Sequence, residues 1–396
     1  RSLLSGRLDS NQLFNPSGSL TNIRSDLLPK NSYILIKIQE LFSTYILIMS
    51  GVVQLVSIGA QDTHYTGNPE ISFFKSSYKR HTNFSTVTRR QLIQGTPTAG
   101  GMSTIRIDRQ GDLLNYMFIV ATKSGTTELI SLWSNVIQQA ELLIGGQLID
   151  TQDVTFSEEI AIDLLANTGS KSFPASLHGG ADSQSFFYPF RFFCCENWYS
   201  SIPLVALQYH DVEVRITWSK LLPSDYRLEF AAHYILLDDQ ERAWFKETPQ
   251  DILMFQVQKS VPSNDKIQEL NFNHPVKFIA SSNLNANATN NLVSRTNKIK
   301  LEANGTDITD LNVSIPYYTS VPTYFHTEQS SSNSEGLFLY PFCLNTSKTQ
   351  PTGSLNFSRL DSFKIHCTQV ITNPVYAVNL NILKIKNGMG AVMYAN

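Results

Sequence analysis

The stretch DVEVRITW, Asp211–Trp218, puts Val212, Val214, Ile216 and Trp218 on one side of an extended chain. Charged and hydroxyl side chains take the other side. Successive side chains of a strand point to opposite faces, so this is a strand with one face buried and one wet. The same two-residue rhythm returns at Leu228, Phe230, Ala232, Tyr234 and Leu236. It returns again at Ile299, Leu301 and Ala303, and at Phe363, Ile365 and Cys367. Ser103–Arg109, Leu113–Thr122 and Val375–Ile385 also read as strands. Turn signals at Gly100-Gly101, Gly145-Gly146, Gly179-Gly180 and Asn304-Gly305 separate them. Only Phe156–Leu165 and Asp238–Lys246 read as short helices. Many short strands with few helices predict an all-β protein of the sandwich or jelly-roll kind.

The chain has 396 residues, and one hydrophobic core stops growing near ~250–300, so two domains are expected. Hydrophobic residues make up 42%, enough for two cores. Charged residues make up only 16%, against ~25% in an average soluble protein. Interface cores are depleted in charge and enriched in aromatics, so this composition suits a chain that assembles. A net charge of −2 argues against a polyanion-binding protein. Cys194, Cys195, Cys343 and Cys367 show no metal-binding spacing and read as buried thiols in a reducing compartment.

A break at Leu221-Leu222-Pro223-Ser224-Asp225 divides the chain into 49–222 and 223–396, each long enough for one eight-stranded jelly roll. The halves share an order of features. Phe187-Tyr188-Pro189-Phe190 is followed by a Cys, an Asn, a Pro-containing loop and an alternating strand. Leu339-Tyr340-Pro341-Phe342 opens a similar series. Residues 1–48 stand apart. Within Tyr33–Met49, Ile34, Ile38, Leu41, Tyr45 and Ile48 fall on one helical face, interrupted by Lys37 and Glu40. This segment reads as an amphipathic arm, a membrane-surface helix, or sequence upstream of a start at Met49, the last being favoured.

From Gln54 the sequence carries Gln54-Leu55-Val56, Gly59-Ala60-Gln61-Asp62, Thr66-Gly67-Asn68-Pro69, Phe73-Phe74-Lys75, Tyr78 and Arg80-His81-Thr82-Asn83-Phe84. Leu142–Asp150, Pro203–Val212, Leu237–Phe245, Asn273–Lys277, Gln350–Asp361, Val375–Asn379 and Gly388–Gly390 follow in order. In these motifs the chain resembles the major capsid proteins of the nucleocytoplasmic large DNA viruses, a double jelly-roll family. The resemblance runs from Met49 to Asn396. Ser281–Thr309 and Ser330–Glu335 depart from it, being polar and without motifs.

The resemblance implies a structural protein that trimerises into pseudo-hexagonal capsomers. These would tile an icosahedral shell assembled in the host cytoplasm over an internal membrane, beside minor capsid and penton proteins. It implies a capsomer-base arm that includes Gln54, Leu55, Gly59, Gln61 and Asp62. It also implies that Gly67, Asn68 and Pro69 turn the chain into the first strand, as Gly and Pro turn chemistry allows. No cofactor, metal or specific nucleic-acid binding is expected. Six sequons, at Asn83, Asn287, Asn304, Asn312, Asn345 and Asn356, are expected to stay unmodified in a cytoplasmic assembly.

One local charge imbalance stands out. Lys75, Lys79, Arg80, Arg89, Arg90, Arg106 and Arg109 face a single acid, Asp108, giving this segment +6. It reads as a basic inner surface toward anionic lipid or nucleic acid, or as one half of intersubunit ion pairs, the latter preferred. Catalytic motifs are absent: no P-loop, GxSxG, HExxH or GxGxxG leading into a helix. The adjacent acid pairs Asp238-Asp239 and Glu158-Glu159 read as helix starts or surface, which speaks against a hydrolase on this fold. The competing class is a tandem carbohydrate-binding module, for which Trp198-Tyr199 after Glu196-Asn197 is the one aromatic cluster of the right kind.

Overall fold

The computed structural model describes residues 59–123, 133–172, 185–282, 291–328 and 336–395. These fall into two compact units, one ending at Arg80 and one running from His81 to Asn396. In the first, a single helical turn, Thr63–Thr66, is followed by irregular, exposed backbone.

The second unit opens with eight main strands: β1 (Phe84–Gln91), β2 (Met102–Arg106), β3 (Leu113–Lys123), β4 (Ile137–Ile144), β5 (Gln147–Asp153), β6 (Ser185–Pro189), β7 (Val212–Trp218) and β8 (Tyr226–Leu237). All pairings are antiparallel. One sheet runs β1-β8-β3-β6 and the other β2-β7-β4-β5. This interleaving, with neighbours taken from opposite ends of the sequence, is the jelly roll. Eight further strands repeat it: β9 (Gln250–Ser260), β10 (Ile267–Glu269), β11 (Pro275–Ser282), β12 (Lys298–Ala303), β13 (Thr306–Asp307), β14 (Leu337–Pro341), β15 (Phe363–Cys367) and β16 (Val375–Lys386). Their sheets run β9-β16-β11-β14 and β10-β15-β12-β13, the first order with eight added to each number. A last strand, β17 (Met389–Val392), pairs with β16.

The turns repeat as well. Gly145 (φ 58°) and Gly146 (φ 79°) join β4 to β5, and Asn304 (φ 49°) and Gly305 (φ 76°) join β12 to β13. Two consecutive positive φ angles match the right-handed twist of a two-residue hairpin, which explains Gly-Gly and Asn-Gly. At Gly145 a Cβ would lie 2.4 Å from the His210 ring, so this position has no room for a side chain.

β7 behaves as its alternation predicts. Val212, Val214, Ile216 and Trp218 are at most 1% exposed, and the Trp218 indole donates to Ser103 Oγ at 2.8 Å. The break at Leu221–Asp225 has a different role from the one its composition suggests. It is the crossing from β7 in one sheet to β8 in the other, and β8 pairs with β1 and β3. The first sandwich therefore runs on to Leu237, past the 222/223 division. Its separation from β9 is the helix Asp239–Glu247, capped by Asp238.

Val276, Ile279, Phe338, Val375 and Ala377 face inward into the second sandwich. Their neighbours Phe278, Ala280, Leu337, Leu339, Tyr376 and Val378 face the other way and are buried against the first sandwich. The β9-β16-β11-β14 sheet is thus covered on both sides. Strands of this kind read as continuous apolar runs, as Val375-Tyr376-Ala377-Val378 does.

Candidate assembly surfaces

Three regions carry the chemistry left over from folding: the exposed N-terminal stretch, the junction between the sandwiches, and the outer face of the first sandwich. Gln54 and Leu55 lie outside the described residues, as do residues 1–48. Gly59 accepts from the Asp62 amide at 3.1 Å, while Gln61 and Asp62 lead into the Thr63–Thr66 turn. Gly67 ends that turn by donating to Thr63 O at 3.0 Å, and Asn68 adopts a φ of 51° before Pro69. A Cβ on Gly67 would sit 2.5 Å from Thr63 O. The chain bends at Gly67–Asn68, irregular backbone follows, and β1 begins only at Phe84. The intervening EISFFKSSYKRHTN has no two-residue alternation to support a strand. It holds Phe73, Phe74 and Tyr78 almost fully exposed.

The basic residues are divided among several settings. Lys75, Lys79 and Arg80 lie on the exposed stretch, and Arg89 is exposed on β1. Arg90 pairs with Glu229 across β8 at 3.2 Å. Arg106 and Arg109 share Asp211 at 2.5 and 3.3 Å. Three of the seven cations are therefore paired within the chain, Arg106 and Arg109 on one carboxylate and Arg90 on a carboxylate that Arg227 also uses.

At the junction the acids gather. Glu158-Glu159, expected at a helix start or on the surface, lie in the turn Phe156–Ile160, and this turn is wedged against β11. Phe156 and Ile160 are fully buried and draw the acids in with them. Burial, reinforced by Glu159, pushes the Glu158 carboxyl up to about 7. Burial also raises Glu159, against a hydrogen bond from Ser282 of the second sandwich. Asp150 on β5 accepts from the Val257 amide of β9 at 2.9 Å and from Gln152 Nε2 at 2.7 Å. Burial still outweighs these bonds and lifts its carboxyl to about 7. Asp153 takes Lys259 Nζ and the Tyr376 hydroxyl, both at 2.7 Å. Sequence reasoning missed this cluster. Its only linear signal is the apolar run at Val375–Val378, which announces a sheet covered on both faces.

Beside it the segment Phe190–Ser201 folds over the first sandwich. Arg191 and Glu196 are about 5% exposed and paired at 3.2 Å, with Lys171 on the other carboxylate oxygen at 3.2 Å. Cys194 and Cys195 are buried free thiols with Sγ atoms 3.8 Å apart. The Cys195 hydrogen bond and burial together raise the Cys194 thiol. Burial likewise raises Cys343, and lifts Cys367 to about 11, so these thiols are poor nucleophiles. His326 Nδ1 meets the Cys343 carbonyl and not its thiol. Among the described residues no group of three or more His, Cys, Asp or Glu is placed to hold a metal ion. Trp198 and Tyr199 are exposed, and Trp198 stands edge-on to Tyr116 and His233, which stack at 4.1 Å.

What this geometry offers is extensive contact surface. Comparison with known proteins agrees. Residues 72–242 match the major capsid protein N-terminus family, and residues 241–391 match the large eukaryotic DNA virus major capsid protein family. The major capsid protein of Pyramimonas orientalis virus is 30% identical over 395 residues, covering 87% of this chain and 99% of the relative. That of Paramecium bursaria Chlorella virus 1 is 30% identical over 448 residues, with the same coverage. Among solved structures, PBCV-1 VP54 superposes with a TM-score of 0.70 at 25% identity, covering 82% of this chain and all of VP54. The Faustovirus major capsid protein gives a TM-score of 0.55 at 12% identity, a likeness of fold alone. The duplicated jelly roll, the surfaces built for contact and these matches along the chain together make it a member of the major capsid protein family of large eukaryotic DNA viruses, a structural protein of the virion capsid.

Proposed function

We propose that three copies of the chain close into a pseudo-hexagonal capsomer, and that capsomers tile an icosahedral shell. The observation that carries this is the repeated strand order. Two sandwiches of one topology in each chain, multiplied by a threefold axis, give six similar wedges. Such a disc packs hexagonally and is held by buried surface, with no catalytic step required of any residue. The exposed Phe73, Phe74 and Tyr78 support an N-terminal arm, with Gln54, Leu55, Gly59, Gln61 and Asp62, that binds at the capsomer base. Its partners there are neighbouring capsomers, minor capsid and penton proteins, or the face of an internal membrane. Lys75, Lys79, Arg80 and Arg89 supply cations for carboxylates of those partners; specific nucleic-acid recognition forms no part of the role. Assembly takes place in the host cytoplasm.

Electron microscopy of the purified full chain tests this. The expected image is a hexagonal disc with a threefold axis. Single bilobed particles at every concentration, joined by retention on a glycan array, would favour the carbohydrate-binding alternative.

A further inference from the structure

The outer face of the β1-β8-β3-β6 sheet is equivalent to the face of the β9-β16-β11-β14 sheet that the first sandwich covers. On the second sheet, Phe278 and Ala280 of β11 and Leu337 and Leu339 of β14 are fully buried by that contact. On the first sheet, the outward residues of β3 and β6 are Tyr116, Phe118, Val120 and Phe187. They are equally apolar but only half-buried. Phe187 holds the place of Leu339, one residue before the tyrosine of the repeated Tyr-Pro-Phe. A groove of about 1020 Å³ lies over these four side chains, with Trp198 on its wall. The run Tyr116-Met117-Phe118-Ile119-Val120 is uninterrupted in the way expected of a strand covered on both sides.

The elements that cover the second sheet within the chain are the helical turn after β5 (Phe156–Ile160), β5 itself and the segment after β6 (Phe193–Ser200). Their counterparts in the second sandwich follow β13 and β14. They are the helix Ser320–His326 and the loop 342–353. The Thr346 amide donates to His326 O, and His326 Nδ1 meets Cys343 O, each at 2.9 Å, so helix and loop form one corner. In the first sandwich the corresponding corner is buried, with Phe156 at 0% and its ring 5.9 Å from that of Tyr376. In the second it is open. Val321, Tyr324 and Phe325 share one helix face, with Tyr324 80% and Phe325 72% exposed, and Leu344 on the loop is 76% exposed.

We infer that the Val321–Phe325 face and Leu344 of one copy dock into the Tyr116-Phe118-Val120-Phe187 groove of the next copy, repeating between chains the contact the two sandwiches make within one. This rests on the capsomer reading and specifies its interface. The two surfaces differ, so the contact is head-to-tail, the kind that closes into a ring.

Light scattering on the full chain and its variants separates this inference from the reading it rests on. Phe325→Asp lies on the open corner and Phe118→Asp in the groove. Each is expected to reduce the particle mass threefold, to that of one chain, with the far-ultraviolet circular dichroism of Phe325→Asp unchanged, while its unfolding midpoint falls by what association had contributed. Val261→Asp, exposed but outside both surfaces, leaves the parent mass. Mixing the two monomeric variants restores one intact contact and gives a two-chain particle. If Phe325→Asp remains a trimer, or the mixture stays monomeric, the inference is wrong while the capsomer reading stands. If the unaltered chain is itself a monomer, the capsomer reading fails first.

Discussion

Glu196→Leu destabilises the first sandwich by about 3–5 kcal/mol. The loss comes from stranding Arg191, whose guanidinium is about 5% exposed and also donates to Lys171 O at 2.7 Å. A cation left in that place without its carboxylate keeps the cost of desolvation and loses the attraction that offset it. The double variant Arg191→Met/Glu196→Leu is expected to recover most of the loss, because an apolar pair of similar volume has no charge to desolvate. Urea unfolding of the single and double variants measures both. A single-variant loss below about 1 kcal/mol would place this pair with the weak, solvated bridges of protein surfaces. The consequence reaches assembly, since the same segment holds Trp198 beside the groove and packs on β9.

Stability falls as pH rises from about 4 to 7. The carboxyls of Asp150 and Glu158 are raised in the folded chain from 3.8 and 4.5 to about 7, so between those limits the folded state holds more protons than the unfolded one. Their contribution is complete below the unfolded values and is gone once pH passes the folded values. For Asp150, only 3% exposed, the change is on the order of 4 kcal/mol at ~1.4 kcal/mol per unit. Glu159 acts in the same direction. Lys277, lowered by burial to about 8, acts oppositely, and its stabilising effect grows only above that pH. Thermal unfolding across the range should show the midpoint dropping toward pH 7, and Asp150→Asn should flatten the slope. A midpoint that rises over the same interval would contradict the buried-acid junction. Because these groups lie where the two sandwiches meet, mild alkali is expected to loosen that junction before it unfolds either core.

Much of this architecture is legible in the sequence because strand alternation survives wherever one face is wet. β7, β12 and β15 show it plainly, and the helix Asp239–Glu247 announces itself through Asp238. The helices Ser314–Tyr317 and Ser320–His326 leave no mark in the sequence because each carries a proline, Pro316 and Pro322, and neither is long enough to show a period. The break at Leu221–Asp225 suggested a domain boundary because its composition is that of a linker. The hydrogen bonds of β8 with β1 and β3 decide otherwise, and such pairing between distant segments leaves no local mark. The buried acids were invisible for a related reason. Glu158 and Glu159 are ordinary helix-start residues until a second sandwich, more than a hundred residues away in sequence, closes over them.

The most direct test of the account is the mass of the unaltered chain in solution, by light scattering across a dilution series. The expected result is a particle of three times the 44.5 kDa chain mass that persists on dilution. A chain that remains at its single mass at every concentration would contradict it.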